Sequence, residues 1–239
     1  MIISIASLKG GVGKTTIATF LAQAFNTRGK SVQLIDLDHN NNLTDFYLRD
    51  TDFKELESKN IFKVLQGSKS FEEANFILPT GIKIIPATPT LSNLDATLGS
   101  DPGLTFRFRE DLRSLDSDII IIDIHNAKHL GLYLALYASD VVISPFTLNR
   151  WTYQGSIDIQ SEVEKASKTI KAKIEFIGVR SNLTEKKSQE LDSITDLKIA
   201  ETTIHRSEAI ETASSIAEFL SPNTKAFKEF LSLSQELLP

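Results

Sequence analysis

The chain contains no cysteine. This absence excludes disulfide bonds, catalysis by a thiolate, and any metal or iron–sulfur site held by cysteine. A reducing cytosol is the simplest location for such a protein, and we therefore expect it to be cytoplasmic.

Long apolar runs and an excess of positive charge are missing as well. No stretch of about 18 apolar residues occurs, so we expect no membrane-spanning helix. The opening residues MIISIAS have no basic group before the apolar ones, and we interpret them as a strand rather than a signal peptide. A net charge of −5 does not indicate a strongly basic nucleic-acid-binding protein, although it leaves room for a local basic face.

Histidines are few and scattered, at positions His39, His125, His129 and His205. His125 and His129 are four residues apart, as zinc-binding histidines on a helix are. No acidic partner accompanies them in the pattern of a zinc motif. We therefore expect ordinary surface positions and no metal site there.

Runs rich in isoleucine and valine alternate with helical patterns along all 239 residues. Such alternation predicts an α/β fold, with a predominantly parallel twisted sheet and helices on both faces. The length, and the lack of a linker, favour one domain over residues 1–239. Segment 39–75 is polar, and we expect loops and short helices there. We predict strands at 2–6, 31–38, 81–87, 117–124, 139–145 and 172–179, and helices at 14–29, 89–98, 103–115, 128–137, 149–171, 184–195 and 223–237.

The first strand leads into the sequence SLKGGVGKTT at residues 7–16. The common phosphate-binding loop, G-x-x-x-x-G-K-[ST], would need glycine at position 8, where this chain has leucine. Gly13, Lys14 and Thr15 nevertheless match the G-K-[ST] end of that pattern, and the loop lies between a predicted strand and a predicted helix. We therefore predict a nucleotide site built by Gly10, Gly11, Val12, Gly13, Lys14, Thr15 and Thr16.

Each residue type in this loop has a chemical reason to be there. Glycines allow backbone N–H groups to turn towards phosphate oxygens at the start of a helix. Lys14 places a positive charge near the β- and γ-phosphates, and the Thr15 hydroxyl can ligate Mg²⁺. Asp123, which follows four isoleucines, can hold the Mg²⁺ shell as in a Walker B strand. The predicted cofactors are therefore ATP and Mg²⁺.

Polar groups follow three further predicted strands. Ligands of open α/β sheets bind beyond the carboxyl ends of the strands, where these groups would meet. An aspartate at one strand end is commonly a turn residue, but polar groups at four strand ends together favour a nucleotide site. The groups are Asp36 and Asp38 after the second strand, Asp123 after the isoleucines, and Arg180 and Asn182 after the strand at 172–179.

The loop pattern K-G-G-x-G-K-[ST]-[ST] is the deviant Walker A form, and the chain resembles the ParA/MinD family of P-loop ATPases. The resemblance extends over essentially the whole chain. It includes QLIDLDHNNNLT, IKIIPATPTLSNLD, DIIIIDIHNA and TTIHRSEAIETA, which occur in the family's order.

The resemblance implies a dimer formed with ATP. Lys9 would reach across to the partner's phosphates, and Asp38 would orient the attacking water. Asp36 would support the Mg²⁺ shell, and Asn182 would contact adenine. A ParB-like or adaptor protein would stimulate a hydrolysis that is slow without it.

Two segments depart from the family's pattern. His39, Asn40, Asn41 and Asn42 replace a Pro-Gln-Gly-Asn type loop, and His125 with Asn126 replaces a double proline. Both flank the γ-phosphate side, where they can alter the rate of hydrolysis or the coupling to a partner.

Three functions stay open at this point. The first is an ATPase that partitions or positions DNA or another cargo through nonspecific DNA binding, which we expect to be associated with the nucleoid. The second is a membrane-bound MinD-like regulator, and the third is a stand-alone metabolic ATPase.

Cations that could contact DNA are Lys165, Lys168, Lys171, Lys173, Lys186, Lys187, Arg206 and Lys225. The predicted helix at 223–237 has few cations for a membrane-surface helix, so we expect it to pack on the domain and expect no membrane partner.

Overall fold

The computed structural model describes residues 1–147, 149–184 and 197–239. The predicted helix at 184–195, and Lys186 and Lys187 within it, therefore lie outside the described residues apart from Thr184.

Eight strands form one sheet in the order β3-β4-β2-β5-β1-β6-β7-β8. All neighbouring strands are parallel except the β3–β4 pair. The predicted α/β class with a mainly parallel sheet is confirmed. The strands are β1 (Ile2–Ile5), β2 (Val32–Leu37), β3 (Phe76–Ile77), β4 (Lys83–Ile85), β5 (Ile119–Ile124), β6 (Val141–Phe146), β7 (Glu175–Leu183) and β8 (Ile204–His205).

Helices cover both faces of the sheet. They are α1 (Lys14–Thr27), α2 (Asn42–Leu48), α3 (Phe53–Ser58), α4 (Ile61–Leu65), α5 (Phe71–Ala74), a 3₁₀ turn (Pro89–Asn93), α6 (Leu94–Leu98), α7 (Leu104–Ser114), α8 (Leu130–Ala138), α9 (Arg150–Ile170), α10 (Glu208–Ile216) and α11 (Lys225–Leu237). Segment 39–75 contains four short helices, as expected, whereas α10 was not predicted.

The isoleucines of β5 show how the sheet separates two apolar cores. Ile120, Ile122 and Ile124 pack in the core that contains residues of α7, α8 and α9. Ile119 and Ile121 pack in the core that contains residues of α1 and α11. Because side chains alternate along a strand, the next odd position, Asp123, lies on the α1 side.

The C-terminal helix α11 is part of the second core. Its apolar residues Phe227, Phe230 and Leu233 are buried there, and the helix contacts α1. Arg28, just after α1, donates hydrogen bonds to the carbonyl oxygens of Ser234 (2.6 Å) and Leu238 (2.6 Å). The prediction that this helix packs on the domain is confirmed. Within the described ranges, no helix combines the length and apolar character that crossing a bilayer requires.

Candidate functional site

The loop between β1 and α1 has the backbone conformation of a phosphate cradle. Gly11 and Gly13 have φ values of 73° and 89°, which side chains disfavour. A Cβ atom on Gly13 would lie 2.9 Å from Oγ of Ser181, and one on Gly10 would lie 3.3 Å from Nδ2 of Asn126. α1 begins directly after Gly13 without a side-chain cap, so its first N–H groups are directed at the loop.

Lys14 starts α1 and is 9% exposed. Burial lowers the pKa of its ammonium group, and the nearby carboxylates of Asp123 and Asp38 act in the opposite direction. A buried cation beside a phosphate cradle attracts anions more strongly than one in water, because the dielectric constant there is lower. The position of the Lys14 ammonium group, buried beside the loop, is consistent with the predicted contact with the β- and γ-phosphates.

Thr15 and Asp123 meet at the mouth of this cradle. The Thr15 hydroxyl donates a 2.6 Å hydrogen bond to Oδ2 of Asp123. No group in the described residues donates a hydrogen bond to the buried Oδ1 of Asp123. Burial raises the pKa of Asp123 to about 7, and the hydrogen bond from Thr15 and the charge of Lys14 act in the opposite direction without offsetting it. A hydroxyl and an unpaired carboxylate oxygen are ligands that Mg²⁺ prefers, so these residues fit the predicted metal.

Asp36 lies beside Asp123 in the sheet register and is fully buried. Thr44 of α2 donates to its Oδ2 from both the backbone N–H (3.0 Å) and the hydroxyl (2.8 Å). The backbone N–H of Asp38 donates to its Oδ1 at 3.0 Å. Burial, followed by the charge of Asp123, raises the pKa of Asp36 to about 8. Asp36 therefore connects α2 to the residues that are predicted to hold Mg²⁺, and Thr44 is a partner of Asp36 that was not predicted from the sequence.

Asp38 follows β2 and is 7% exposed. Its Oδ1 lies 2.9 Å from Nδ1 of His125 and accepts hydrogen bonds from the backbone N–H and the side-chain amide of Asn40, both at 2.9 Å. His125 and Asn40 both belong to segments that depart from the family's pattern. Both thus directly contact the carboxylate that is predicted to orient the attacking water.

A cleft of about 320 Å³ opens beside the loop. Thr16 and Asn182 line it, as expected for residues that contact a nucleotide. The opposite rim comes from β8, α10 and the residues between them, largely within the segment TTIHRSEAIETA, for which no nucleotide contact was predicted from the sequence. Besides Thr16 and Asn182, the lining comprises Gly11, Gly13, Ser181, Ile204, His205, Arg206, Ser207, Ile210, Glu211 and Ser214.

Arg180 does not join this group. Its guanidinium Nη2 donates to the carbonyl oxygens of Ala200 (3.3 Å) and Glu201 (3.1 Å). Neighbouring residues of a strand point to opposite faces, and Arg180 precedes Ser181, which lines the cleft. The prediction that Arg180 follows the strand was wrong, because β7 continues to Leu183, and its side chain donates to the segment at 200–201 instead of lining the cleft.

Lys9 is exposed in the first half of the loop, and its backbone N–H donates to Oγ of Ser7 at 3.2 Å. Within residues 1–147, 149–184 and 197–239, its ammonium group forms no ion pair. A Cβ atom on Gly155 of α9 would lie 3.5 Å from Cγ of Lys9, so the stem of the lysine runs along this glycine. The cation is therefore available to a group outside this chain.

Four of the lysines suggested for DNA binding, at the end of α9 and just after it, lie at the opposite edge of the sheet. α9 starts after β6 and ends before β7, so its last turns lie near the amino ends of the strands. Lys165, Lys168, Lys171 and Lys173 are exposed there, and we call these four residues the basic edge. Lys165 pairs with the buried Glu162 at 3.0 Å. Arg206 pairs with Glu211 near the cleft.

Comparison with known proteins identifies the family. A family model described as an AAA domain, AAA_31, matches residues 1–176. The chromosome partitioning protein ParA of Caulobacter vibrioides is 26% identical over 231 residues, which cover 91% of this chain and 85% of ParA.

Solved structures show the same fold. A plasmid partition protein from Borrelia burgdorferi bound to AMPPNP has a TM-score of 0.83 and 23% identity, with 99% of this chain and 98% of that chain covered. Apo McdA of Cyanothece has a TM-score of 0.85 and 23% identity, with 100% and 99% covered. The predicted cofactors, ATP and Mg²⁺, agree with the nucleotide analogue in the first of these and with the residues of the loop. This chain therefore belongs to the ParA/MinD family of P-loop ATPases, and its loop is the deviant Walker A form of that family.

Proposed function

We propose that this single-domain ATPase dimerises when it binds ATP and partitions or positions DNA or another intracellular cargo. The observation that carries the proposal is Lys9, an exposed cation without an ion-pair partner in the described chain, beside a complete phosphate loop. The name of the Caulobacter relative, a chromosome partitioning protein, supports the biological role.

The residues of the site would divide the chemistry between them. Lys14 and the loop N–H groups would bind the phosphates, and Thr15, Asp36 and Asp123 would hold Mg²⁺. When bound, Mg²⁺ supplies positive charge that offsets the charge developing on the phosphoryl oxygens. Asp38 would orient the attacking water, and Asn182 would contact the adenine base.

Hydrolysis is expected to be slow in the absence of a partner. Asp38 Oδ1 already contacts His125 and Asn40, so a water molecule must compete with these groups for that oxygen. A ParB-like or adaptor protein that shifts the His39–Asn42 segment would release Asp38 and stimulate turnover. We expect this ATPase itself to act in the cytoplasm, at the nucleoid.

Nonspecific DNA is the matrix that we propose for the dimer. A single protomer with a net charge of −5 opposes the approach of DNA, and its basic edge offers few cations. A dimer doubles the number of these cations, so DNA binding should require ATP. The membrane alternative receives less support, because the apolar residues of α11 are buried against α1.

Cosedimentation with nonspecific DNA or with anionic liposomes, each in ATP or ADP, tests the proposal. We expect binding to DNA in ATP alone, with log affinity falling against log salt by about 0.9 per phosphate neutralised. Combining Lys168→Ala with Lys173→Ala should reduce this slope, whereas Lys54→Ala with Lys69→Ala, on α3 and before α5, should not. Equal DNA affinity in ADP would argue against ATP gating, and liposome binding would favour the membrane alternative.

A further inference from the structure

Asp38, His39 and His125 form a compact cluster beside the phosphate loop. One ligand atom from each side chain lies within 4.8 Å of those of the other two. The rings of His39 and His125 have centroids 4.3 Å apart, and Nδ1 of His125 lies 2.9 Å from Oδ1 of Asp38. Both histidines are partly exposed, so an ion in solution can reach them.

The donor set of this cluster differs from that of the Mg²⁺ residues. Two imidazole nitrogens and one carboxylate oxygen suit Zn²⁺ and similar transition-metal cations, whereas Mg²⁺ prefers oxygen ligands. Zn–N distances of about 2.0–2.1 Å place two tetrahedral ligands roughly 3.3–3.4 Å apart. Nδ1 of His125 and Oδ1 of Asp38 are 2.9 Å apart, and all three ligand atoms lie within 4.8 Å of one another, so small side-chain rotations are needed to reach that spacing. Three protein ligands would leave one position for water.

His129 is close to the cluster but is not a ligand. Its ring centroid lies 5.6 Å from that of His125. Its Nδ1 accepts a 2.9 Å hydrogen bond from the backbone N–H of Gly131, which caps α8. In the neutral ring Nε2 then carries the proton and has no lone pair for a metal. Binding a metal at Nε2 would therefore require loss of the cap.

We propose that Asp38, His39 and His125 bind a transition-metal cation of the Zn²⁺ class, and that the bound cation inhibits ATP hydrolysis. The inhibition rests on the proposed function, in which Asp38 orients the attacking water. A cation on the Asp38 carboxylate withdraws it from that water. Asp36 and Asp123 contribute no ligand to the cluster, so ATP and Mg²⁺ still bind.

Calorimetric titration with Zn²⁺ tests the site in the absence of nucleotide and with Mg²⁺ in excess. We expect one Zn²⁺ per chain. His39→Asn and His125→Asn should each weaken Zn²⁺ binding by more than about 100-fold, because loss of a group that merely hydrogen-bonds a ligand already costs about 10–100-fold. His129→Asn keeps an N-cap residue, and His205→Asn changes a ring that pairs with Glu229 at 2.7 Å. Both controls should bind Zn²⁺ as the unchanged chain does.

A second measurement needs no substitution. Nuclear magnetic resonance of the histidine ring nitrogens should show that Zn²⁺ shifts two of the four side chains, His39 and His125, and leaves His205 unchanged. Absence of Zn²⁺ binding, or binding that persists in both His39→Asn and His125→Asn, would overturn the site.

Phosphate release at buffered free Zn²⁺ then tests the consequence. We expect Zn²⁺ to slow hydrolysis by the unchanged chain by at least about tenfold, a barrier difference of about 1.4 kcal/mol. His39→Asn should be far less sensitive to Zn²⁺. Hydrolysis that is indifferent to Zn²⁺ in a chain shown to bind it would overturn the inhibitory role. A chain without ATPase activity would refute the proposed function, and calorimetry would still decide the metal site.

Discussion

Thr15 and Asp123 are 108 positions apart in the chain, yet the Thr15 hydroxyl donates a 2.6 Å hydrogen bond to Oδ2 of Asp123. The contact joins the first turn of α1 to the end of β5. It depends on the alternation of β5, which directs Asp123 to the face that α1 covers. The same alternation leaves Oδ1 of Asp123 buried and without a hydrogen-bond partner in the described part of the chain.

Thr15→Val keeps the shape of the side chain and removes the hydroxyl. We expect ATP affinity in Mg²⁺ to fall by at least about tenfold, or about 1.4 kcal/mol, because a metal ligand is lost. Affinity in EDTA should change little. Calorimetry under both conditions measures the difference, and Thr27→Val at the other end of α1 is the matched control. An equal loss in EDTA would mean that Thr15 contacts phosphate rather than metal.

Long periodic segments were predicted well because their pattern is strong. The four isoleucines of β5 and the apolar run of β2 are buried on both faces, which a parallel sheet requires. The two-residue strands β3 and β8 were missed, since two residues are too few to show alternation. They add to the sheet because β4 and β7 offer free edges, and this pairing depends on tertiary structure.

Part of the site follows from position along the chain, and part does not. Asp36, Asp38 and Asp123 were found because carboxyl ends of parallel strands meet at one edge. Thr44 was missed because it reaches Asp36 from a helix, which no strand-end rule indicates. His125 and Asp38 are in contact although they lie 87 positions apart in the chain. The spacing of residues along the sequence could not predict this contact.

Thr44→Val tests whether Asp36 depends on α2. The Thr44 hydroxyl donates to Asp36 and accepts a 2.9 Å hydrogen bond from the backbone N–H of Ala87, so valine would remove both bonds within a buried region. We expect the free energy of unfolding to fall by about 1–3 kcal/mol, because buried polar groups lose a partner. Urea denaturation measures it. Thr27→Val removes a hydroxyl bond to the carbonyl oxygen of Gln23 at an exposed residue of α1, and it should cost about 0.5 kcal/mol or less. Equal losses in the two variants would contradict a special role for Thr44.

Asp38→Ala should bind ATP but hydrolyse it at least about 100-fold more slowly, a barrier increase of about 2.7 kcal/mol. Alanine keeps the backbone N–H that donates a hydrogen bond to Asp36, so the binding site should stay intact. It removes the carboxylate that would orient the attacking water, so hydrolysis should slow. The variant should therefore accumulate as an ATP-bound dimer. Phosphate release and light scattering measure the two effects, and Asp45→Ala on the exposed side of α2 is the control. Turnover at the unchanged rate would assign water orientation to another group.

Lys9 provides a test of the dimer. Two ATP molecules that approach face to face repel each other, and a cation from each protomer offsets this repulsion. Lys9→Ala should therefore leave ATP binding by the monomer nearly intact, because Lys14 and the loop N–H groups remain. It should abolish dimerisation with ATP and hydrolysis together. Calorimetry measures the first property, and light scattering with phosphate release measures the others.

Mixing two inactive variants tests whether Lys9 acts across the interface. In a mixed dimer of Lys9→Ala and Asp38→Ala, the Asp38→Ala protomer supplies Lys9 to a site that retains Asp38. Each mixed dimer has one working site, so an equal mixture should regain part of the activity, with an upper bound of roughly a quarter for the case in which half of the dimers are mixed. Lys9→Ala mixed with a chain that carries both substitutions should regain none, since neither protomer supplies the lysine. Normal dimerisation of Lys9→Ala with ATP would show that Lys9 has no part in the interface.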